Sequence, residues 1–291
     1  MRVIIAGSRN INDYNLVLAA IKHSGFEISE VVSGGCLGVD QLGERWAKEN
    51  NIPIKRFKAD WEKYGKSAGP KRNLQMAKGA DALIVVKTAF SRGSLNMMGT
   101  ATSMGLKVYK HPIIVGLVGV KQSGKTTASK YLNKFGYQRY SFAEPVKKIA
   151  QTMFLFSDDQ IYHQDLKEVV DPRWGFSPRH AMQQIGTEIG RNFDTQVWIK
   201  NMHERIQGAS CVTIDDVRFQ NEADYIRDMG GLLIGLSRGL FDSNDPHESE
   251  AQMKRNWKHM TDVTIPNQPN KEHLYEQIKK HIIRPNENSE R

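Results

Sequence analysis

Residues 113–127, "IIVGLVGVKQSGKTT", decide the fold of the larger part of this chain. The run "IIVGLV" reads as a buried strand. Gly-x4-Gly-Lys-Thr follows at once, and "ASKYLNKF" continues with helical spacing. Strand, glycine-bounded loop and helix in that order form a phosphate-binding loop. Gly119 and Gly124 let the backbone turn several N–H groups onto one anion. Lys125 supplies a point charge for the outer phosphates and Thr126 a hydroxyl for Mg²⁺. Gln122, Ser123 and Thr127 complete the stretch 119–127 expected to bind ATP, and the helix that begins there points its positive dipole end at the phosphates.

The 291 residues carry a net charge of +9, and the charge is uneven. Lys and Arg outnumber Asp and Glu by 17 to 9 in residues 1–111 but only by 24 to 23 in the remainder. Such an excess speaks to anionic partners, nucleotides or nucleic acid, and not to fold. Two cysteines, Cys36 and Cys211, exclude a disulfide framework and fit a reducing cytosol. "MRVIIAGSRN" is too short an apolar run for a signal peptide, and no stretch reaches bilayer-spanning length. The expected location is cytoplasmic, with no membrane partner.

Two α/β units are expected. In the first, "RVIIAGS", "EVVSGG", "IPIKRFKA", "DALIVVK" and "KVYKH" read as strands that alternate with helical patterns, which implies a covered parallel sheet. His111-Pro112 is the only punctuation before the next strand. The boundaries read as 1–111, 112–285 and a flexible tail 286–291. In the second unit, "CVTIDDVRFQNEAD" places an apolar strand directly before Asp215, Asp216 and Arg218. Ligands bind beyond the carboxyl ends of parallel strands, so Asp216, alone or with Asp215, is the expected metal-side carboxylate, partly through water. Arg218 brings a planar fork to a phosphate. "DPHESE" reads as a helix start capped by Asp245.

"GLVGVKQSGKTTASKYL", "SFAEPVKKIA", "MQQIGTEIGRNFDTQVWIKNM" and "DDVRFQNEADYIRDMGGLLIGLSR", in that order, resemble the deoxynucleoside monophosphate kinase family of bacteriophages over roughly residues 113–285. The resemblance implies a P-loop, three-layer α/β domain with a helical insert. It also implies transfer of the ATP γ-phosphoryl to a deoxynucleoside 5′-monophosphate with Mg²⁺, in host cytoplasm if the chain is phage-encoded. Phosphoryl transfer needs converging cations more than covalent chemistry. With Lys125 and Arg218, the insert offers Arg173, Arg179 and Arg191. "DPRWGFSPRH" reads as a mobile lid loop that presents Arg179 to the transferred group, so the expected catalytic set is Lys125, Arg179, Asp216 and Arg218. Phe142, Glu144, Gln183, Arg191 and Trp198 are the candidates for holding the acceptor.

The turns after the first unit's strands combine glycine with Ser, Arg or Asn: Gly7, Ser8 and Arg9; Ser33, Gly34, Gly35 and Asp40; Arg72 and Asn73 at an expected helix start. They resemble the small "GSR…SGG…GVD…RN" branch of the SLOG superfamily of Rossmann-like domains. That resemblance implies a second nucleotide-type ligand on residues 1–110. The glycosidase branch carries PGGxGTxxE, and "SGGCLGVDQLGE" lacks its Thr, so ligand binding is expected and hydrolysis is not. Two alternatives stay open: a nucleic-acid-binding or nucleotide-sensing protein with a P-loop switch, and a kinase for a modified base in DNA. A homodimer is compatible with the short linker.

Overall fold

The computed structural model describes residues 1–88, 91–120, 122–237, 257, 259–266 and 270–283. The expected cap at Asp245 and the tail 286–291 lie outside these residues. The two expected parallel sheets are present, each of five strands among the described residues. In the first, β1 (Arg2–Gly7), β2 (Glu30–Ser33), β3 (Ile54–Arg56), β4 (Ala82–Val86) and β5 (Lys107–His111) lie in the order β3-β2-β1-β4-β5. The central strands are continuously apolar because both their faces are covered. Helices α1 (Tyr14–Ser24) and α2 (Val39–Glu49) border one face. After the short α3 (Trp61–Tyr64), α4 (Ala68–Lys78) and α5 (Arg92–Ser103) build the other. Helix α4 begins four residues before Arg72, so Arg72 and Asn73 sit in its second turn and not at a helix start. Gly69 and Pro70 read as a loop in sequence, yet the first helical turn tolerates a proline that has no N–H to lose.

The second sheet has the order β10-β9-β6-β8-β7, with β6 (Ile113–Val118), β7 (Gln138–Tyr140), β8 (Cys211–Val217), β9 (Leu232–Ser237) and β10 (Val263–Pro266). The phosphate loop leaves its central strand and enters α6 (Lys125–Asn133). The insert between β7 and β8 carries α7 (Glu144–Phe154), α8 (Asp158–Tyr162), α9 (Pro178–Gln183), α10 (Gly190–Phe193) and α11 (Val197–Arg205). A π-helical turn, Gln184–Ile189, lies between α9 and α10. Helix α12 (Gln220–Asp228) follows β8, and α13 (Lys271–Ile278) follows β10. One core, with Ile214, Met202 and Ile226, fills the face under α11 and α12. Another, with Leu117, Leu132 and Leu274, fills the face under α6 and α13. Three layers result, as expected for this fold class.

Only Pro112 separates β5 from β6, and the junction is built rather than tethered. His111 is fully buried. Its Nε2 lies 2.9 Å from the Met229 carbonyl and its Nδ1 3.1 Å from the Tyr109 hydroxyl. A carbonyl only accepts, so Nε2 carries the proton and Nδ1 accepts from Tyr109. Lys22 and His23 of α1 meet the Asp228 carboxylate, and Lys110 donates to the Gly208 carbonyl. Burial, helped by the neighbouring His23 and His203 charges and opposed by the Met229 carbonyl, pushes the His111 pKa down to about 4. A histidine depressed in the folded chain contributes stability above its ordinary 6.5, and that contribution is lost as pH falls through about 4. Protonation would also take the Nδ1 lone pair from Tyr109. The unfolding midpoint of the native chain therefore falls more steeply between pH 6.5 and 4 than that of His111→Gln, measured by thermal denaturation. Equal slopes would show that the buried imidazole does not govern the junction.

Candidate active site

At the end of β6, Gly119 has φ of 154°. A Cβ there would fall 2.5 Å from the Ser123 hydroxyl oxygen and 2.6 Å from the Leu236 carbonyl oxygen, so only glycine closes this turn. Gln122 and Gly124 also take positive φ, 63° and 101°. Lys125 opens α6 and folds back over the loop, with Nζ 2.7 Å from the Val120 carbonyl oxygen. Thr126 is exposed beside it, and Thr127 is half-buried. Backbone N–H groups at the start of α6, a cation and a hydroxyl thus meet at one point.

One turn after Thr126, the Ser129 hydroxyl lies 2.8 Å from the Thr213 hydroxyl of β8, and both residues are fully buried. Thr126 shares a helix face with Ser129, and Asp215 stands two residues beyond Thr213 on the same side of the strand. Arg139, paired in register with Thr213, donates from Nε to Asp215 Oδ2 at 2.6 Å, which fixes that side. Burial, reinforced by the Asp216 charge, pushes the Asp215 carboxyl up against the lowering pull of Arg139. A register shift in β8 opposite Gly116–Val118 inserts one residue here. Such bulges re-aim side chains at strand ends.

Asp216, expected at the metal, is hydrogen-bonded to the loop that follows the neighbouring strand β7. Its Oδ1 accepts from the Phe142 amide at 2.8 Å, and its Oδ2 accepts from the Ser141 hydroxyl at 2.7 Å and the Ala143 amide at 2.9 Å. It holds the loop between β7 and α7 from the neighbouring strand β8, while Asp215 is the buried carboxylate on the face of β8 that carries Thr213. Arg218 follows on the turn into α12. Glu222 shapes that turn: its Oε2 accepts from the Arg218 amide at 2.9 Å and the Phe219 amide at 3.2 Å. Its Oε1 accepts from Arg191 Nη2 at 2.8 Å, while the Arg191 guanidinium stacks 3.7 Å above the Phe219 ring.

Several expected acceptor residues serve the insert instead. Phe142 is 5 % exposed and belongs to the core under α11 and α12, so it forms no open wall. Trp198 donates to the Gly186 carbonyl at 2.7 Å and fixes the π-helical turn. Arg191 is committed to Glu222 and Phe219. The expected mobile lid is a pinned turn. Asp171 and Phe176 form a bridge, Arg173 Nη2 lies 2.7 Å from Asp171 Oδ2, and Trp174 donates to the Phe154 carbonyl. The hydrogen bonds from Arg173 hold the Asp171 carboxyl well below the usual carboxylate range. Arg179, at the start of α9, pairs with Glu168 at 2.5 Å. Glu144, first in α7, accepts from the Tyr162 hydroxyl at 3.0 Å, and Gln183 ends α9 half-buried.

Over the first sheet, the candidate ligand residues converge where β1 and β4 part. Ser8 accepts from the Thr88 amide at 2.9 Å. Arg72 Nη1 donates to the Gly34 carbonyl at 2.5 Å and Nε to Asn73 Oδ1 at 3.2 Å, and Asn73 Nδ2 reaches Asn96 at 2.9 Å. A Cβ on Gly34 would sit 1.8 Å from Arg72 Nη1, so a larger residue there would displace that guanidinium. Gly7 ends β1, and Arg9 is exposed just beyond it. Gly35 donates its amide to the Ser33 hydroxyl oxygen at 3.0 Å, and Ser33 in turn donates to Glu44, which Arg56 also holds. Asp40 is 4 % exposed; burial pushes its pKa up to about 6 against the lowering pull of Arg72.

A parallel sheet whose central strand enters a glycine-bounded loop and cationic helix start, with a buried carboxylate on the adjacent strand, defines a P-loop phosphotransferase. The family model of deoxynucleotide monophosphate kinase matches residues 157–278. A putative deoxynucleotide monophosphate kinase of Acanthamoeba polyphaga mimivirus is 38% identical over 184 residues, 57% of this chain and 94% of that protein. The chain belongs to the deoxynucleotide monophosphate kinase family and is a nucleotide kinase. The Gene 61 protein of Mycobacterium phage D29 is 34% identical over 116 residues, 37% of this chain and 93% of that protein. The model of the YspA, cpYpsA-related SLOG family matches residues 1–64, so the first sheet carries a module of nucleotide-binding type. Among solved structures, dephospho-CoA kinase from Campylobacter jejuni is 15% identical, covering 60% of this chain and 98% of that chain, with a TM-score of 0.35. Among the described residues, no helix is long and apolar enough to cross a membrane.

Glu222 was invisible as a site residue in sequence, where it reads as an ordinary third residue of a helix. Its partner Arg191 lies 31 residues away. Removing it takes the carboxylate from the Arg218 and Phe219 amides and from the half-buried Arg191 guanidinium, so Glu222→Ala lowers the unfolding free energy by about 3–5 kcal/mol in denaturant titration. A loss below about 1 kcal/mol, the ordinary surface range, would show that the pair does not organise the turn.

Proposed function

We propose that the chain transfers the γ-phosphoryl group of ATP to a free deoxynucleoside 5′-monophosphate at the carboxyl edge of β6 and β8. In this reading residues 1–111 and 112–285 are its two domains. The observation that carries it is the Ser129–Thr213 hydroxyl pair, which fastens the phosphate-loop helix to the strand that bears Asp215. Mg²⁺ suits this place, because a buried carboxylate and a helix-start hydroxyl are the oxygen donors it takes beside substrate phosphates. When bound it would neutralise charge on the phosphate oxygens.

The chain's own groups do the rest. Loop amides from 119 to 127 cradle the donor phosphates. Lys125 exchanges its backbone carbonyls for phosphate oxygens, a favourable trade for an ammonium ion. Arg218, held on a turn set by Glu222, reaches the transferred group, and Arg179 joins it by leaving its exposed partner Glu168. Glu144 and Gln183 face the acceptor. No general base is needed, because the acceptor phosphate is already a nucleophile. The first domain holds a second nucleotide-type ligand among Ser8, Arg72 and Asn73. ATP and free monophosphates are cytosolic, and the cytosol is the compartment this reading implies.

The test is transfer of labelled γ-phosphate from ATP to each of the four deoxynucleoside monophosphates and, in parallel, to duplex DNA with and without modified pyrimidines. At least one free monophosphate should be labelled, and Lys125→Ala should lower the rate by about 10²-fold or more. Labelling of DNA alone would overturn the substrate assignment. Near-normal turnover by Lys125→Ala would overturn the donor site.

A further inference from the structure

The cavity over the first sheet has a volume of about 1160 Å³. Ligand pockets ordinarily run from about 300 to 1,000 Å³, so one nucleotide held by the first sheet alone would leave much of it empty. Its walls explain the size. One is polar, with arginines in excess of carboxylates: Arg9, Arg72 and Arg92 against Asp13 and Asp40, beside Ser8. The other comes from the kinase part and is largely apolar and aromatic: Ile113, Phe135, Tyr137, Cys211, Leu232 and Ile282.

The polar wall states a ligand chemistry. Arg9, Arg72 and Arg92 line one cavity, Arg72 held there by its bond to the Gly34 carbonyl, and α2 and α5 begin at this edge with their N–H groups forward. Helix α5 has no acidic residue in its first turn and no side-chain cap. Several charges on one anion are what such a wall neutralises, and a flat ring is what Phe135 and Tyr137 would cover. A nucleoside polyphosphate has both ends.

The second wall states a consequence. Phe135 lies two residues beyond the end of α6, whose other end is Lys125. Ile113 begins β6, which ends at the phosphate loop. Cys211 begins β8, which carries Asp215. Three rigid elements therefore run from this cavity to the phosphoryl-transfer edge. On the other side of the junction the parts are already fastened through His111, Asp228 and Met229. A ligand in the cavity adds contacts to both parts at once.

We propose that the first-domain cavity is a regulatory site: a nucleoside polyphosphate bound between Arg72 and Arg92 on one wall and Phe135 and Tyr137 on the other changes the rate of the kinase. This rests on the reading of the cavity as a nucleotide site and adds its effect on the distant reaction. A ligand shifts an equilibrium only by its differential contacts with the two states, and the shared wall provides them.

The full chain tests it, with the four deoxynucleoside triphosphates as probes. Calorimetry on Lys125→Ala, whose donor site is disabled, reads binding to the cavity, and adding Arg92→Ala, an exposed change, should abolish it. In the kinase assay at saturating ATP, the bound triphosphate should change kcat/KM for the monophosphate by about fivefold or more, the lower end of ordinary coupling between sites. Competition at the donor site would act equally on the native chain and on Arg92→Ala, whereas an effect through the cavity is confined to the native chain. The change should vanish in Arg72→Ala and in Arg92→Ala. Binding with no change in rate would overturn the regulatory inference and leave the cavity a nucleotide site. Absence of binding by any triphosphate would overturn both.

Discussion

The hydrogen bond between the Ser129 and Thr213 hydroxyls, 2.8 Å long and closed to water, fastens the phosphate-loop helix to the neighbouring strand. A buried hydroxyl without a partner costs about 1–3 kcal/mol, so neither side chain is free to turn away. With α6 fixed against β8, Thr126, one turn before Ser129, and Asp215, two residues beyond Thr213, lie toward the same edge of the sheet. Arg139 pairs with Asp215 from the edge strand, and Asp216, turned the other way, holds the start of α7. The division of labour between adjacent carboxylates is thus a consequence of how one helix lies on one strand.

Both sheets obey the same constraint. Parallel strands release all their carboxyl ends at one edge, so each sheet has one edge where helix starts and glycine turns gather. In the first sheet that edge holds Ser8, Asp40, Arg72 and Asn73; in the second it holds Lys125, Asp215 and Arg218. Pro112 alone links the sheets, and the fully buried His111 fastens the end of β5 to the turn before β9. The ligand edge of the first sheet thereby shares a cavity with the strand starts of the second.

Much of this was legible in the sequence. Continuous apolar runs located the central strands, and the Gly-x4-Gly-Lys-Thr loop located the phosphate site, because both are local patterns with local causes. The remainder depends on partners far along the chain. Sequence set Asp215 and Asp216 side by side but could not say which faces α6, since a bulge in β8 intervenes. Arg191 reads as a spare cation until Glu222 folds against it. Phe142 and Trp198 look like walls for a base, yet the core and the Gly186 carbonyl claim them. The proline and glycine of "DPRWGFSPRH" suggested a loose loop, but Asp171 and Trp174 pin it.

The account stands on Asp215, and not Asp216, serving as the metal-side carboxylate of the phosphate loop. The direct measurement is the Mg²⁺ dependence of phosphoryl transfer in Asp215→Asn and Asp216→Asn, with the thermal unfolding of each. Asp215→Asn should keep its unfolding temperature and raise the Mg²⁺ concentration for half-maximal rate by about tenfold or more, the scale of losing one metal-side carboxylate. Asp216→Asn should keep the Mg²⁺ requirement and unfold at lower temperature, because it loosens the cap on α7. The reverse pattern, with the Mg²⁺ requirement following Asp216, would contradict the geometry on which the reading rests.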